Sequence, residues 1–389
     1  MQSPILSHNI NKGYLYNFCA YFGITNLWVI YLQHQGLSLI QVGLCESIFH
    51  LTSLLSEVPS GILADRYSYR TILIWGRLMA IINAIIMLTA DNFWLFALAF
   101  VFTAWSYNLQ SGTIDAFMYE SLARDKKQSC YPRVISVSNS IIEAASTLGV
   151  ILAGWFVHWH FAITYWIYLI CTFVAITVLV AMIDPRTLKK AASVGEKRPF
   201  IWPMIKSAVS IFRVQPRLGR LMLFHAAFSA IGTTYYYYFQ SLLDTYKFSG
   251  PAISALLGLS AVLNIAGVQL TPWMQARWKQ GKLILRLSQF LTAALLATLI
   301  NWMSLLLSLY LLINVLMAIV EPLFSNYYNV LIPSEQRVTL LSVASMLFSL
   351  VMVVCFPVTG WLVEFCGFSL TFSGLGVLTL LLIAWSFRK

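Results

Sequence analysis

Glu57-Val58-Pro59-Ser60-Gly61-Ile62-Leu63-Ala64-Asp65-Arg66-Tyr67-Ser68-Tyr69-Arg70 joins two apolar blocks, 41–64 and 71–90, through a polar turn of a few residues. Each block is close to the ~20 apolar residues that a helix needs to cross a hydrocarbon layer of ~30 Å. Two such helices with so short a joint make a membrane hairpin. Gly61 lets the first helix approach a neighbour closely. Asp65 ends that helix, where it can meet Arg66, Arg70 or Arg77 and the positive N-terminal dipole of another helix.

The same pattern runs outward in both directions. Hydrophobic residues make up 59% of the 389, enough for spans at 13–33, 41–64, 71–90, 94–121, 132–157, 161–183, 218–240, 251–272, 283–300, 303–331, 338–363 and 368–386. Taken alternately, the gaps hold Lys12; Arg66 and Arg70; Arg124, Lys126, Lys127 and Arg133; the basic stretch 186–220; Arg277, Lys279 and Lys282; Arg337; and Arg388 with Lys389. The opposite gaps hold one cation, Lys247. The positive-inside rule then puts both termini in the cytoplasm of a multi-pass inner-membrane protein. That orientation, with attraction to anionic lipid, accounts for the net charge of +11 and leaves no need for nucleic acid. The first apolar block is full length and should stay as an uncleaved anchor. Six cysteines show no CxxC pair or metal-ligand spacing and read as small apolar fillers.

One long polar interruption, carrying Pro199, Pro203 and Pro216, divides the chain. The expected organisation is a six-helix bundle over 1–184, a cytoplasmic connector over 185–217 with one short surface helix, and a second six-helix bundle over 218–389. The halves echo each other. Ser136-Val137 is followed 18 residues on by Gly154-Trp155, and Ser342-Val343 by Gly360-Trp361 at the same interval. Upstream lie Tyr119-x-x-Leu122 and Tyr328-x-x-Leu331. Matching positions in two six-span halves favour duplication, as in membrane proteins built from parallel repeats around a midplane site.

Gly61-x-Leu63-Ala-Asp65-Arg66-x-x-x-Arg70 resembles the loop between helices 2 and 3 of the major facilitator superfamily, and the preceding Glu57-Val58-Pro59-Ser60 resembles one branch of it. Ser111-Gly112-Thr113-Ile114-Asp115-Ala116-x-x-Tyr119-Glu120-Ser121-Leu122 is similar to that branch's fourth helix. The resemblance implies an all-α membrane fold with twelve transmembrane helices in two pseudo-repeat bundles, and secondary transport by alternating access. It also implies a gate formed by Gly61, Asp65, Arg66, Arg70 and Arg77. Ser68 stands where the family usually has Gly, which bears on the turn geometry. The equivalent loop of the second half, Met274 to Lys282, keeps its cations but lacks the Asp. The drug-proton antiporter patterns of helices 4 and 5 are absent: Asn108 replaces their Arg, and Gly149 to Gly154 lacks the Gly-Pro. The implied partners are a small-molecule substrate, protons and membrane lipid, for a monomer with no cofactor or metal.

Ionisable side chains within a bilayer usually face a cavity or a partner helix. Glu46, His50, Ser53 and Glu57 fall on one face of span 2, because eleven residues at 100° return within ~20° of the start. Trp105, Asn108, Gly112, Asp115 and Tyr119 line span 4, and Ser136, Asn139, Glu143 and Ser146 line span 5. His225, Ser229, Gly232, Tyr236 and Gln240 line span 7, and Asn264 and Glu321 serve the second half. Glu143 lies about 18 Å into its span, near the midplane, where desolvation raises a carboxyl pKa. It leads the proton-coupling candidates, ahead of Glu46, His50 and Asp115; its expected neighbours are Ser136, Asn139 and Ser146. Trp105, Asn108, Asn139, Tyr236, Asn264 and Glu321 are the cavity candidates. Packing is the plain alternative for His50, and a structural ion-pair network for Glu57, Asp115 and Glu120.

Three readings follow. Proton-coupled efflux of an amphipathic, drug-like compound comes first, and proton-coupled uptake of a sugar, peptide or organic acid second. A non-transporting membrane sensor on the same fold is the third. An ATP-driven pump is disfavoured because no GxxxxGK(S/T) is present. A membrane enzyme is disfavoured because the six histidines form no nucleophile or metal constellation.

Overall fold

The computed structural model describes residues 6–185, 216–331 and 337–387. These are helical, with no strand among the described residues. In chain order the helices are α1 (His8–Ala20), α2 (Trp28–His34), α3 (Leu39–Arg66), α4 (Tyr69–Thr89), α5 (Phe93–Gln110), α6 (Thr113–Arg124), α7 (Tyr131–Phe156) and α8 (Ile163–Ala181). They continue with α9 (Pro216–Thr245), α10 (Gly250–Arg277), α11 (Gln280–Ala297), α12 (Met303–Leu331), α13 (Arg337–Cys366) and α14 (Phe368–Ser386). Among the described residues nine helices are long and apolar enough to cross a membrane. Counting the bent pair α1–α2 as one span makes ten. The broken pair α5–α6 and the more polar α9 complete twelve. The connector expected over 185–217 lies almost wholly outside the described residues.

Two expected spans are not continuous. The segment 13–33 begins earlier, at His8, and bends by 42° between α1 and α2. The segment 94–121 breaks at Ser111-Gly112, where Gly112 takes φ 71°, a conformation without penalty only for a residue lacking Cβ. Prolines 59, 272, 322 and 357 lie inside helices, which neighbouring helices make tolerable in a membrane. At the α3–α4 joint Ser68 needs no glycine geometry. It is extended (φ −66°, ψ 148°), and its hydroxyl accepts the Thr71 amide at 3.2 Å, capping α4.

The chain forms two compact units, Met1–Trp28 with Thr52–Pro199 and Val29–Leu51 with Phe200–Lys389. In the first, α4 lies along α5, and α8 packs on α1 and α4. Tyr16, Phe117, Met118, Leu73 and Leu179 form its fully buried core. In the second, α9 packs on α12, α13 and α14, and α10 on α12. Outward faces of both units carry exposed Trp94, Trp155, Phe365 and Leu381, as expected where the solvent is hydrocarbon.

The second unit includes a segment from the first half of the sequence, residues 29–51. Small residues and backbone acceptors explain its attachment. A Cβ on Gly43 would lie 2.5 Å from Pro357 Cα, so the backbones of α3 and α13 meet directly. Ser47 Oγ donates to the Val353 carbonyl at 2.7 Å, and the Leu39 amide donates to Glu364 Oε1 at 2.5 Å. Tyr238 on α9 donates to the Phe356 carbonyl at 2.8 Å.

Candidate functional site

In the α3–α4 joint Gly61 is buried while Asp65 and Arg66 are exposed. Among the described residues Asp65 has no ion-pair partner. The loop's cation turns elsewhere: the Arg70 amide donates to Asp184 Oδ2 at 2.7 Å, and Arg70 Nη1 reaches the Met182 carbonyl at 3.4 Å. Asp184 is only 2% exposed and sits at the N-terminus of α4, where a carboxylate meets the helix dipole. Its neighbours are held too. Arg124 donates to the Pro185 carbonyl (2.7 Å), Asn9 to Ile183 (2.8 Å) and Lys12 to Ala181 (2.6 Å). Linear spacing gives no sign of this clamp, since Arg70 and Asp184 are 114 residues apart. Asp125, at the end of α6, accepts the amides of Leu6 and Ser7 at 3.2 and 2.6 Å. Desolvation pushes its carboxyl up, but those amides and Lys127 outweigh it and hold the group below the usual carboxylate range.

Arg77 is not at the joint. It lies within the first unit, 3% exposed, and donates to Gln110 Oε1, to Ser106 Oγ at 3.3 Å and to the Ala20 carbonyl at 3.4 Å. Its guanidinium carbon stands 5.9 Å from the Tyr16 ring centroid, and the Tyr16 hydroxyl donates to Gln110 Oε1 at 3.0 Å. Among the described residues no carboxylate pairs with it.

The other first-unit candidates separate clearly. Asn108 ties α5 to α3, donating to the Ser53 carbonyl (2.7 Å) and Ser56 Oγ (2.8 Å) and accepting from Ser53 Oγ (2.9 Å). Trp105 and Asp115 are half-buried, and Asn139 and Glu143 exposed. Among the described residues Glu143 has no hydrogen-bond or ion-pair partner. The expected polar neighbours do not reach it, because Ser146 accepts from Asn26 of the opposing segment at 3.2 Å.

Histidine–carboxylate pairs gather in the second unit. His34 on α2 meets Asp244 on α9 at 2.9 Å. His50 Nε2 lies 3.4 Å from Glu46, one turn away on α3, with its ring edge-on to Phe49 and Phe348. His225 on α9 stacks on Phe324 at 4.0 Å and points Nε2 at Glu321 Oε2 of α12, 3.3 Å away. Ser229 donates to the other Glu321 oxygen at 2.5 Å, and the Tyr328 hydroxyl meets His225 Nδ1 at 3.2 Å. His225 was only one member of a polar stripe in the sequence. Its approach to Glu321 brings together residues on separate helices, which no linear spacing reveals. Tyr236 stacks on Tyr310 at 6.2 Å, and Asn264 Oδ1 is buried without a partner among the described residues. An open pocket of about 590 Å³ at the far end of this unit is lined by Gln33, Tyr238, Thr245, Tyr246, Asn301 and Glu364.

These arrangements suit proton exchange and the recognition of a small polar or aromatic molecule. The sequence profile of the Major Facilitator Superfamily matches residues 13–354. Over 116 residues the chain is 27% identical to YxaM, an uncharacterized MFS-type transporter of Bacillus subtilis (strain 168). That match covers 28% of this chain and 29% of the relative, well under two thirds of its length. Among solved structures, a bacterial homologue of the iron transporter ferroportin in its inward-facing state superposes with a TM-score of 0.75 at 15% identity, over all of both chains. The nucleoside transporter NupG superposes with a TM-score of 0.73 at 13% identity, over 99% of each chain. At such identities the likeness is one of fold. With most of its length matched by the family profile and its architecture shared with these transporters, the chain belongs to the major facilitator superfamily.

Proposed function

We propose that this transporter is a proton-coupled exporter of an amphipathic small molecule, working by alternating access in the cell membrane with both termini and the connector cytoplasmic. One observation carries the coupling: the His–carboxylate pairs set within or at the ends of the spans of the second unit, Glu46–His50 and His225–Glu321 above all. An ionisable pair is costly in hydrocarbon and is kept where its charge state has work to do. Among the coupling candidates Glu46 with His50 has a titratable partner in place; among the described residues Glu143 and Asp115 have no ion-pair partner. Within the first unit Trp105 and Asn139, and within the second Tyr236 and Asn264, are aromatic or neutral polar groups, which favour an amphipathic cargo over a strongly hydrophilic one. Gly61, Asp65, Arg66 and Arg70 form the gating loop of this reading.

The test is transport of a diverse compound panel into proteoliposomes with an acid lumen, before and after nigericin collapses the pH gradient. Export coupled to protons requires accumulation of amphipathic compounds that nigericin abolishes. Accumulation indifferent to the gradient would end the coupling. Symport of hydrophilic nutrients would replace export with uptake.

A further inference from the structure

We infer that His225 and Glu321 form a single proton-binding unit in the second half, a coupling site that joins α9 to α12 across the break at Pro322; this rests on the proton-coupled reading above. His225 is nine residues from the start of α9 and Glu321 ten from the end of α12, so both lie about 14–15 Å from the basic ends of their helices, within the hydrocarbon. Glu321 is half exposed, so a proton can reach it, while the imidazole is mostly covered.

The bonding accommodates one extra proton. The Tyr328 hydroxyl occupies Nδ1 and Ser229 holds one carboxylate oxygen. Nε2 is buried, without a hydrogen bond among the described residues, 3.3 Å from the other oxygen. With the neutral ring's proton on Nδ1 and given to the Tyr328 oxygen, a proton entering between Nε2 and Glu321 makes an imidazolium–carboxylate pair of zero net charge; its departure leaves one negative charge on Glu321. An unpaired carboxylate in hydrocarbon is expensive, so the two states favour different α9–α12 contacts. Pro322 follows Glu321 directly and removes one α12 backbone hydrogen bond at the point where the helix must respond. The Gln280 amide of α11 donates to the Leu323 carbonyl at 2.8 Å, steadying the helix just beyond the break.

The surrounding ionisable groups do not compete. On α9 Arg217 and Arg220 lie towards the basic end, with Arg220 reaching the Trp385 carbonyl of α14. On α12 the other ionisable groups are Tyr327 and Tyr328, with Tyr310 about three turns away. Lys282 and Arg286 of α11 are exposed, and Arg277 of α10 lies over the Trp273 ring at 4.1 Å. Among the described residues of α13 and α14 no ionisable side chain pairs with either member.

The proton itself is the probe. Full-length protein in nanodiscs is titrated from about pH 8 to about pH 5, a window around the unperturbed imidazole value, and bound protons are counted. Glu321→Gln should bind one proton fewer than wild type, and the Glu321→Gln/His225→Gln double variant should lose no more. Unchanged uptake in Glu321→Gln, or two protons lost in the double variant, would overturn the shared site. If Glu321→Gln does not fold, His225→Gln decides: acidification should raise a protonated-carboxyl infrared band that wild type lacks, and its absence would also overturn the site. If the proton count behaves as stated while nigericin leaves transport untouched, the site stands and the coupled-transport reading fails.

Discussion

Among the described residues a buried cation without a carboxylate, Arg77, and an exposed carboxylate without a cation, Glu143, both belong to the first unit. Both terminal nitrogens of Arg77 are held by neutral groups on two other segments, so it works as a crosslink between α4, α5 and the end of α1. Arg77→Ala takes the guanidinium donor from the Ser106 hydroxyl and the Ala20 carbonyl, while Gln110 Oε1 keeps the Tyr16 hydroxyl, and each buried group left unpaired costs about 1–3 kcal/mol. The expected result is a clearly lower thermal midpoint in detergent, read by intrinsic fluorescence; an unchanged midpoint would remove the crosslink. For coupling, Glu46→Gln keeps shape and hydrogen bonding but removes the charge facing His50. Its gradient-driven transport should fall at least about tenfold, whereas Glu143→Gln, with no partner to lose among the described residues, separates a coupling role from none. Undiminished pH-driven transport by Glu143→Gln would exclude it.

Helices meet here at two kinds of joint, a charged clamp and a backbone contact. Asp184 caps α4 through the Arg70 amide, fixing the chain as it leaves α8. Asp184→Asn weakens the charge–dipole part of that cap, worth about 0.3–1 kcal/mol for an exposed group and up to ~2 when buried. Hydrogen exchange should quicken in the first turn of α4 and leave α10 unchanged. Asp65→Asn, by contrast, should fold and insert normally but transport slowly, since Asp65 is exposed and its proposed partner belongs to another state of the gate. Transport near wild type would reduce the loop to a topology signal. At the backbone contact, Gly43→Leu forces α3 away from Pro357. Faster hydrogen exchange over 39–51 and loss of transport are expected together; protection equal to wild type would show that the contact tolerates a side chain.

For the whole molecule, the charge pattern predicts which side each end occupies. Cysteines at positions 8, 200 and 388, introduced singly into a cysteine-free background, should resist an impermeant thiol reagent in intact cells. Labelling of any one from outside would reverse the topology.

Span number, helical class and family were readable from the chain because each depends on local physics. Twenty apolar residues must be helical in lipid, and the Gly61 to Arg70 loop is a linear pattern. Helix breaks were harder: Gly112 and the bend before Trp28 depend on backbone dihedrals of a few residues, which hydropathy averaged over a whole span does not register. Side-chain partners were out of reach. Arg77 is expected beside Asp65 at the gate, yet it stands about two turns into α4 and points inward to Gln110 and Ser106. Glu143 reads as solvated by its own helix neighbours, yet Ser146 turns to Asn26. His225 and Glu321 are 96 positions apart and 3.3 Å apart in space. Sequence determines what each segment must bury; only the packing of helices decides which polar atoms meet, because that choice is made between segments and not along them.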